Sequence, residues 1–230
     1  MKIPSFTYSS ISRFKTCPKQ YEAHQVLKYV PFVGTTATIY GTDLHEAAEN
    51  YIGKGDELPG RFSFVKNYLD ILKNIPGEKL CEYKMGIAKT EDGYAYCDYE
   101  SPLRYWRGIA DLVIINNEEE KAWVIDYKTG KSAKYADTTQ LALIAAAIFL
   151  EFPHIKTVKG MLLFVVSNET VKDEYEYSNR FEVFSNLSLL LARRAVAYET
   201  NVFNAIPNGL CRKFCMATRC IHNWRYNEYT

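Results

Sequence analysis

Two aspartates set inside apolar strands constrain this chain more than any other feature. They lie in Arg107-Gly-Ile-Ala-Asp111-Leu-Val-Ile-Ile115 and Trp123-Val-Ile-Asp126-Tyr-Lys128. A carboxylate within a run of Ile, Val and Leu is costly to bury unless something compensates its charge. The runs are joined by Asn116, Asn117, Glu118, Glu119 and Glu120, so they predict a hairpin. Side chains alternate along a strand, which puts Asp126 and Lys128 on one face, roughly 6.7 Å apart along the backbone. Two carboxylates held this way suit a divalent cation bound through oxygen.

The rest of the sequence reads as an α/β domain. From Lys79 the apolar period is strand-like, and Leu80–Ile87, Tyr94–Tyr99, Tyr105–Ile115 and Ala122–Tyr127 predict an antiparallel meander. Asp137–Phe149 predicts an alanine-rich buried helix and Gly160–Val166 a further strand, a spacing that suits a crossover on a mixed sheet. Upstream, Ser9 and Ser10 precede a short apolar-periodic stretch, Ile11–Phe14, interrupted at Cys17-Pro18. Tyr21–Tyr29 predicts a helix, Gly34–Gly41 a loop, and Thr42 or Asp43 the cap of a helix that reaches Ile52 and carries His45 in its first turn. Gly53–Gly60 reads as a loop, Phe62–Ile75 as an amphipathic helix, and Asn179–Phe203 as a long helix broken by Pro207-Asn208-Gly209. These stretches predict one domain with a helical part (1–78), a catalytic sheet with its crossover helix (79–176), and a long helix with a cysteine-rich tail (177–230).

Composition narrows the class. Hydrophobic residues make up 47% of 230, enough for a full core, and the formal charge of +1 gives no strong overall field towards nucleic acid. No run of about 18 apolar residues occurs, and the N-terminus lacks the apolar stretch of a signal peptide. The expectation is a cytoplasmic protein without a membrane partner. Its six cysteines then point to metal binding rather than disulfides.

In order and spacing, Gly41-Thr-Asp-Leu-His45, Gly108-Ile-Ala-Asp111, Val124-Ile-Asp126-Tyr-Lys128-Thr-Gly130 and Gln140-Leu141 resemble the RecB-type branch of the PD-(D/E)XK nucleases. The resemblance implies a restriction-endonuclease-like mixed central sheet flanked by helices, and hydrolysis of DNA phosphodiester bonds with magnesium or manganese. It implies that His45, Asp111 and Asp126, with the Tyr127 carbonyl, bind the metal. Lys128 would be the catalytic lysine and Gln140 would line the site from the helix that follows. Tyr135 is a candidate for DNA contact. Glu82 is an accessory-acid candidate whose plainer reading, a solvated strand-face glutamate, is preferred.

Cys17 with Cys211, Cys215 and Cys220 is similar to the pattern of iron–sulfur nucleases in the same branch, where a cluster pins the C-terminal tail to the N-terminal helix. Four thiolates suit a [4Fe-4S] cluster or a tetrahedral zinc. The middle tail cysteine departs by one position from the family's spacing, so His222 as a substitute ligand, zinc, and a relic site without metal all stay open. Cys81 and Cys97 read as buried structural thiols. Arg212 and Lys213, near Phe214, Trp224 and Tyr226, suit contact with a single strand.

The expected activity is an exonuclease acting on DNA ends or single strands, of the CRISPR-associated or bacteriophage-encoded kind; in the second case its setting is the host cytoplasm. No Gly-x-x-x-x-Gly-Lys-Ser/Thr loop is present, so strand separation would need a helicase or recombination partner. The readings set against it are a non-catalytic nucleic-acid-binding subunit and a CRISPR spacer-processing protein.

Overall fold

The computed structural model describes residues 2–31 and 34–226. Its α-helices are α1 (Tyr8–Thr16), α2 (Pro18–Tyr21), α3 (Thr36–Glu49), α4 (Lys66–Asn74), α5 (Thr139–Glu151) and α6 (Glu182–Thr200). The strands are β1 (Glu78–Thr90), β2 (Gly93–Cys97), β3 (Arg104–Asn116), β4 (Lys121–Lys128), β5 (Thr157–Phe164) and β6 (Glu169–Glu176). The chain divides into two compact units, Gly34–Val183 and Met1–Val33 with Phe184–Thr230.

The first unit is built on a six-stranded sheet in the order β2-β1-β3-β4-β5-β6. All neighbours are antiparallel except β4 and β5, which run parallel and are joined through α5 as the expected crossover. The sheet is therefore mixed, as expected, but its first strands are not a meander. β3 pairs with β1 along nearly its whole length, from Glu78↔Ile115 to Ala88↔Arg104, and leaves β2 at the edge. At thirteen residues each, β1 and β3 can pair over far more of their length than either could with five-residue β2. Strand β6 was not anticipated, because Glu-Thr-Val-Lys-Asp-Glu-Tyr-Glu carries little apolar signal; its charges suit the exposed edge it occupies.

Helix α3 starts earlier than the sequence suggests. Thr35 caps it, its hydroxyl accepting from Thr38 N while the Thr35 amide donates to Thr38 Oγ1. Residues 36–41, expected as loop, are helical, and His45 moves from the first turn to the middle of the helix. Gly41 costs the helix interior only about 1 kcal/mol, too little to end it against that cap. The expected 62–75 helix is a 3₁₀ segment, Gly60–Val65, leading into α4.

Leu44 and Ala48 of α3 and Leu69 and Leu72 of α4 pack on Leu112, Ile114, Ile125 and Tyr127 of the sheet. Helix α5 covers the opposite face and is apolar all round, with Leu141 and residues 143–149 buried. Gly160, paired with Val124, lets it come close: a Cβ there would lie 3.1 Å from Leu141 Cδ1 and 3.1 Å from the Tyr175 ring.

In the second unit, Arg194 of α6 is buried, donating to Tyr21 Oη (2.9 Å) and Pro4 O (2.8 Å). Tyr21 stacks on Phe203 and meets Phe14 edge-on. The helix expected over 21–29 is α2 followed by one π turn, Glu22–Val26, and Lys28 then turns left-handed at φ 51°. The long helix expected over 179–203 is confined to α6 and is followed by Asn201 at φ 55°, a residue suited to a left-handed cap. The cysteine-rich tail packs on the N-terminal helices as expected. Ile206 N donates to Cys17 Sγ (3.3 Å), Asn208 Nδ2 to Thr16 O (3.5 Å), and Cys215 and Ala217 pack with Ala23. Among the described residues no helix is long and apolar enough to cross a membrane.

Gly160→Val should wedge α5 away from β5 and destabilise the protein by about 1–3 kcal/mol. A lower denaturant midpoint at unchanged slope would show it.

Candidate active site

Three neighbouring strands each contribute one acid to a row. The β1–β3 ladder runs Cys81↔Leu112 and then Tyr83↔Ala110, so Glu82 and Asp111 face each other where pairing lapses. The β3–β4 ladder begins at Leu112↔Ile125, which leaves Asp111 and Asp126 as the next positions beyond its end. Glu82 is left-handed, with φ 47°. For a side-chain-bearing residue that costs roughly 1–2 kcal/mol, and the surrounding sheet must hold it there. The lapse frees Tyr127 N, which donates to Asp111 Oδ2 at 2.7 Å.

His45 enters this row from α3. Its Nε2 lies 3.0 Å from Tyr127 O and its Nδ1 3.4 Å from Asp111 Oδ1. A carbonyl only accepts, so in that bond Nε2 carries the hydrogen. The Nδ1 position, facing Asp111, is left to take a proton or a cation. One ligand atom each from His45, Glu82 and Asp111 lie within 4.8 Å of one another. Asp126 is 3% exposed, and its buried Oδ2 has an ion pair with Lys128 Nζ at 2.5 Å but no well-directed hydrogen bond. Lys128 Nζ in turn lies 3.4 Å from Gln140 Oε1, at the start of α5.

The electrostatics follow from this crowding. Burial, and then the Asp111 carboxylate, push the Asp126 carboxyl up, while Lys128 opposes them. Burial and Asp111 also raise Glu82. For His45, burial alone would favour the neutral ring. The hydrogen bond and charge of Asp111, with Asp126 and the Tyr127 carbonyl, outweigh it and raise the pKa. Glu82, Asp111 and Asp126 therefore form an acid-rich pocket with a nitrogen donor, a donor set that fits a hard divalent cation.

The structure thus gathers His45, Asp111, Asp126, Tyr127, Lys128 and Gln140 in one place. It also adds Glu82: the preferred reading as a solvated strand residue gives way to a half-buried acid beside His45 and Asp111. Nothing in the sequence marks its left-handed backbone. Tyr135 is 87% exposed in the loop after β4, with Lys134 Nζ 5.4 Å from its ring. Arg212 and Lys213 are exposed and belong to the other unit.

Cys17, Cys211, Cys215 and Cys220 all lie in the second unit. Besides the Ile206 bond to Cys17, Asn208 N donates to Cys211 Sγ at 3.5 Å. Burial raises the Cys215 thiol, and Cys211 and Cys17 add to the shift, so these three are electrostatic neighbours. Among the described residues no three of the sulfurs come within 4.8 Å of one another. Cys81 and Cys97 are half-buried rather than buried, and burial pushes the Cys81 thiol up to about 11.

In metal-free protein His45 should titrate above its ordinary value, and Asp111→Asn should bring it down. Because the folded value is raised, the His45–Asp111 pair stabilises fully below the unfolded pKa near 6.5 and is lost as pH rises through the folded one. Imidazole proton shifts followed by NMR across pH would read both values.

One comparison, with a family model, agrees with this site at the level of family. No curated protein matches the chain. A solved structure described as "Crystal structure of SSO0001" is similar at 15% identity and a TM-score of 0.48, covering 97% of this chain and 89% of that one. The chain matches the family described as "PD-(D/E)XK nuclease superfamily" over residues 5–220. The protein belongs to the PD-(D/E)XK nuclease superfamily, whose chemistry is metal-dependent cleavage of nucleic-acid phosphodiester bonds.

Proposed function

We propose that this chain is a DNA exonuclease of the RecB-type branch that acts on ends or single strands with magnesium or manganese. The observation that carries the reading is the row Glu82–Asp111–Asp126, with His45 at one side and Lys128 at the other. His45 Nδ1, Asp111, Asp126 and Glu82 would hold the cation, and the Tyr127 carbonyl has a second lone pair free to join them. A divalent cation supplies Lewis-acid charge at the scissile phosphodiester. Lys128 then offsets the negative charge that builds on the phosphate and orients the attacking water, and Gln140 holds the ammonium at the edge of the site. Tyr127 N fixes the Asp111 carboxylate, and the Tyr127 carbonyl fixes the His45 ring. A helicase or recombination partner would open duplex substrates.

End-labelled single- and double-stranded DNA should be degraded with manganese or magnesium and left intact with EDTA. Lys128→Ala should lower turnover by about 100-fold or more while DNA binding is kept. Intact DNA in every lane from folded protein would favour the non-catalytic binding subunit.

We also propose a [4Fe-4S] cluster on Cys17, Cys211, Cys215 and Cys220. The two amide-to-sulfur bonds, which favour thiolates, and the electrostatic proximity of Cys215 to Cys17 and Cys211 support it. Anaerobically purified protein should contain about four irons and four sulfides per chain, and Cys17→Ser should lose them; zinc in their place would overturn the cluster.

A further inference from the structure

Strands β1 and β3 continue past the acid row as a long antiparallel arm, and one face of that arm carries partly exposed basic side chains. Met85 and Ile87 on β1, and Trp106 and Ala110 on β3, are buried. Between them Lys84 is exposed, and Arg107 and Ile109 are half-buried. The left-handed turn at Glu82 sets this arrangement. Cys81 packs with the core under α3 and α4, whereas Tyr83, two residues on, donates to Glu151 of α5. A regular strand would put both on one face. The interruption at Glu82 turns β1 over, so that polar Lys84 comes out on the face away from Tyr83 and is exposed.

Gly86 then shapes the surface. It pairs with Arg107 on one side and Cys97 on the other. A Cβ on Gly86 would come within 2.8 Å of the carbonyl oxygens of both Cys97 and Asp98. Only a bare backbone lets the chain leaving β2 cross so closely, and that crossing delivers Tyr99 to the arm. Arg107 Cζ lies 4.7 Å from the centre of the Tyr99 ring and Lys84 Nζ 6.0 Å from it. Among the described residues Arg107 is otherwise tied only to Glu100, at 3.4 Å, and the Glu100 side chain is 76% exposed, so a phosphate can displace that pair at little cost. Lys84 lies two residues beyond Glu82 on β1 and Arg107 four residues before Asp111 on β3, which places this cluster along the same two strands as the acid row.

From this geometry we infer that Lys84, Tyr99 and Arg107 form a binding subsite for one nucleotide of a single DNA strand, next to the Glu82–Asp111 cluster. Tyr99 takes a base by stacking on its ring. Lys84 and Arg107 take the flanking phosphates. An aromatic ring with two cations close by suits an unpaired strand, whose bases are free to stack, better than a duplex, whose bases are already stacked. The inference rests on the nuclease reading and assigns that site its strand preference.

The test uses full-length protein carrying Asp126→Ala, so that DNA survives, and measures anisotropy of a labelled oligothymidylate and of a duplex of equal length. Tyr99→Ala should weaken single-strand binding about tenfold or more, and Tyr99→Phe should restore it. Arg107→Gln should flatten the dependence of log affinity on log salt by about 0.7 for the single strand. Duplex affinity should change much less in each case. Unchanged single-strand affinity in both Tyr99→Ala and Arg107→Gln would overturn the subsite, as would Tyr99→Phe losing as much as Tyr99→Ala. If the otherwise unaltered protein cleaves DNA in either of those cases, the nuclease reading stands and only the subsite fails. If the unaltered protein neither binds nor cleaves any DNA, both fail together.

Discussion

Mutual repulsion among Glu82, Asp111 and Asp126 is the constraint around which the larger unit is organised. Each acid comes from a different strand of one sheet, and adjacent strands lie about 4.8 Å apart. Such a row cannot be fully ionised and fully buried without help. The structure supplies part of it: Lys128 pairs with Asp126, His45 approaches Asp111, and the Tyr127 amide donates to Asp111. The raised pKa values of Glu82 and Asp126 show that the compensation is incomplete, and a divalent cation is what would complete it.

The same few residues solve two problems at once. The ladder lapses where the acids sit, which sacrifices sheet hydrogen bonds but opens backbone groups to the site. Tyr127 illustrates this: its amide orients one acid, its carbonyl orients the histidine, and its ring is buried in the core beneath α3 and α4. The left-handed Glu82 brings an acid to the cluster and turns over the strand beyond it, so the charge of the site and the chemistry of the neighbouring surface share one backbone feature.

Much of this could be read in the sequence, and the limits have physical causes. The β3–β4 hairpin, the α5 crossover and the grouping of Asp126 with Lys128 follow from local periodicity and strand alternation. The strand order did not, because pairing of β3 with β1 rather than β2 depends on the total surface buried by partners distant in sequence. The start of α3 was misplaced because Gly41 looked like a break, while the Thr35–Thr38 cap upstream decided it. β6 was missed because an exposed edge strand needs no apolar pattern.

For the site, the sequence by itself determined the chemical inventory: two aspartates in apolar strands, a lysine two residues after the second, a histidine on a helix, a glutamine at the head of the next helix, and four cysteines divided between the chain's ends. These are local choices, and each carries a cost if nothing compensates it. Only the tertiary structure decided that Glu82 joins them, that His45 presents Nδ1 rather than Nε2 to the acids, and that Tyr99 lies close to both Lys84 and Arg107. The reason is that these depend on a positive φ, a hydrogen bond to a backbone carbonyl and a close crossing over Gly86, features of the folded backbone that no residue type encodes alone.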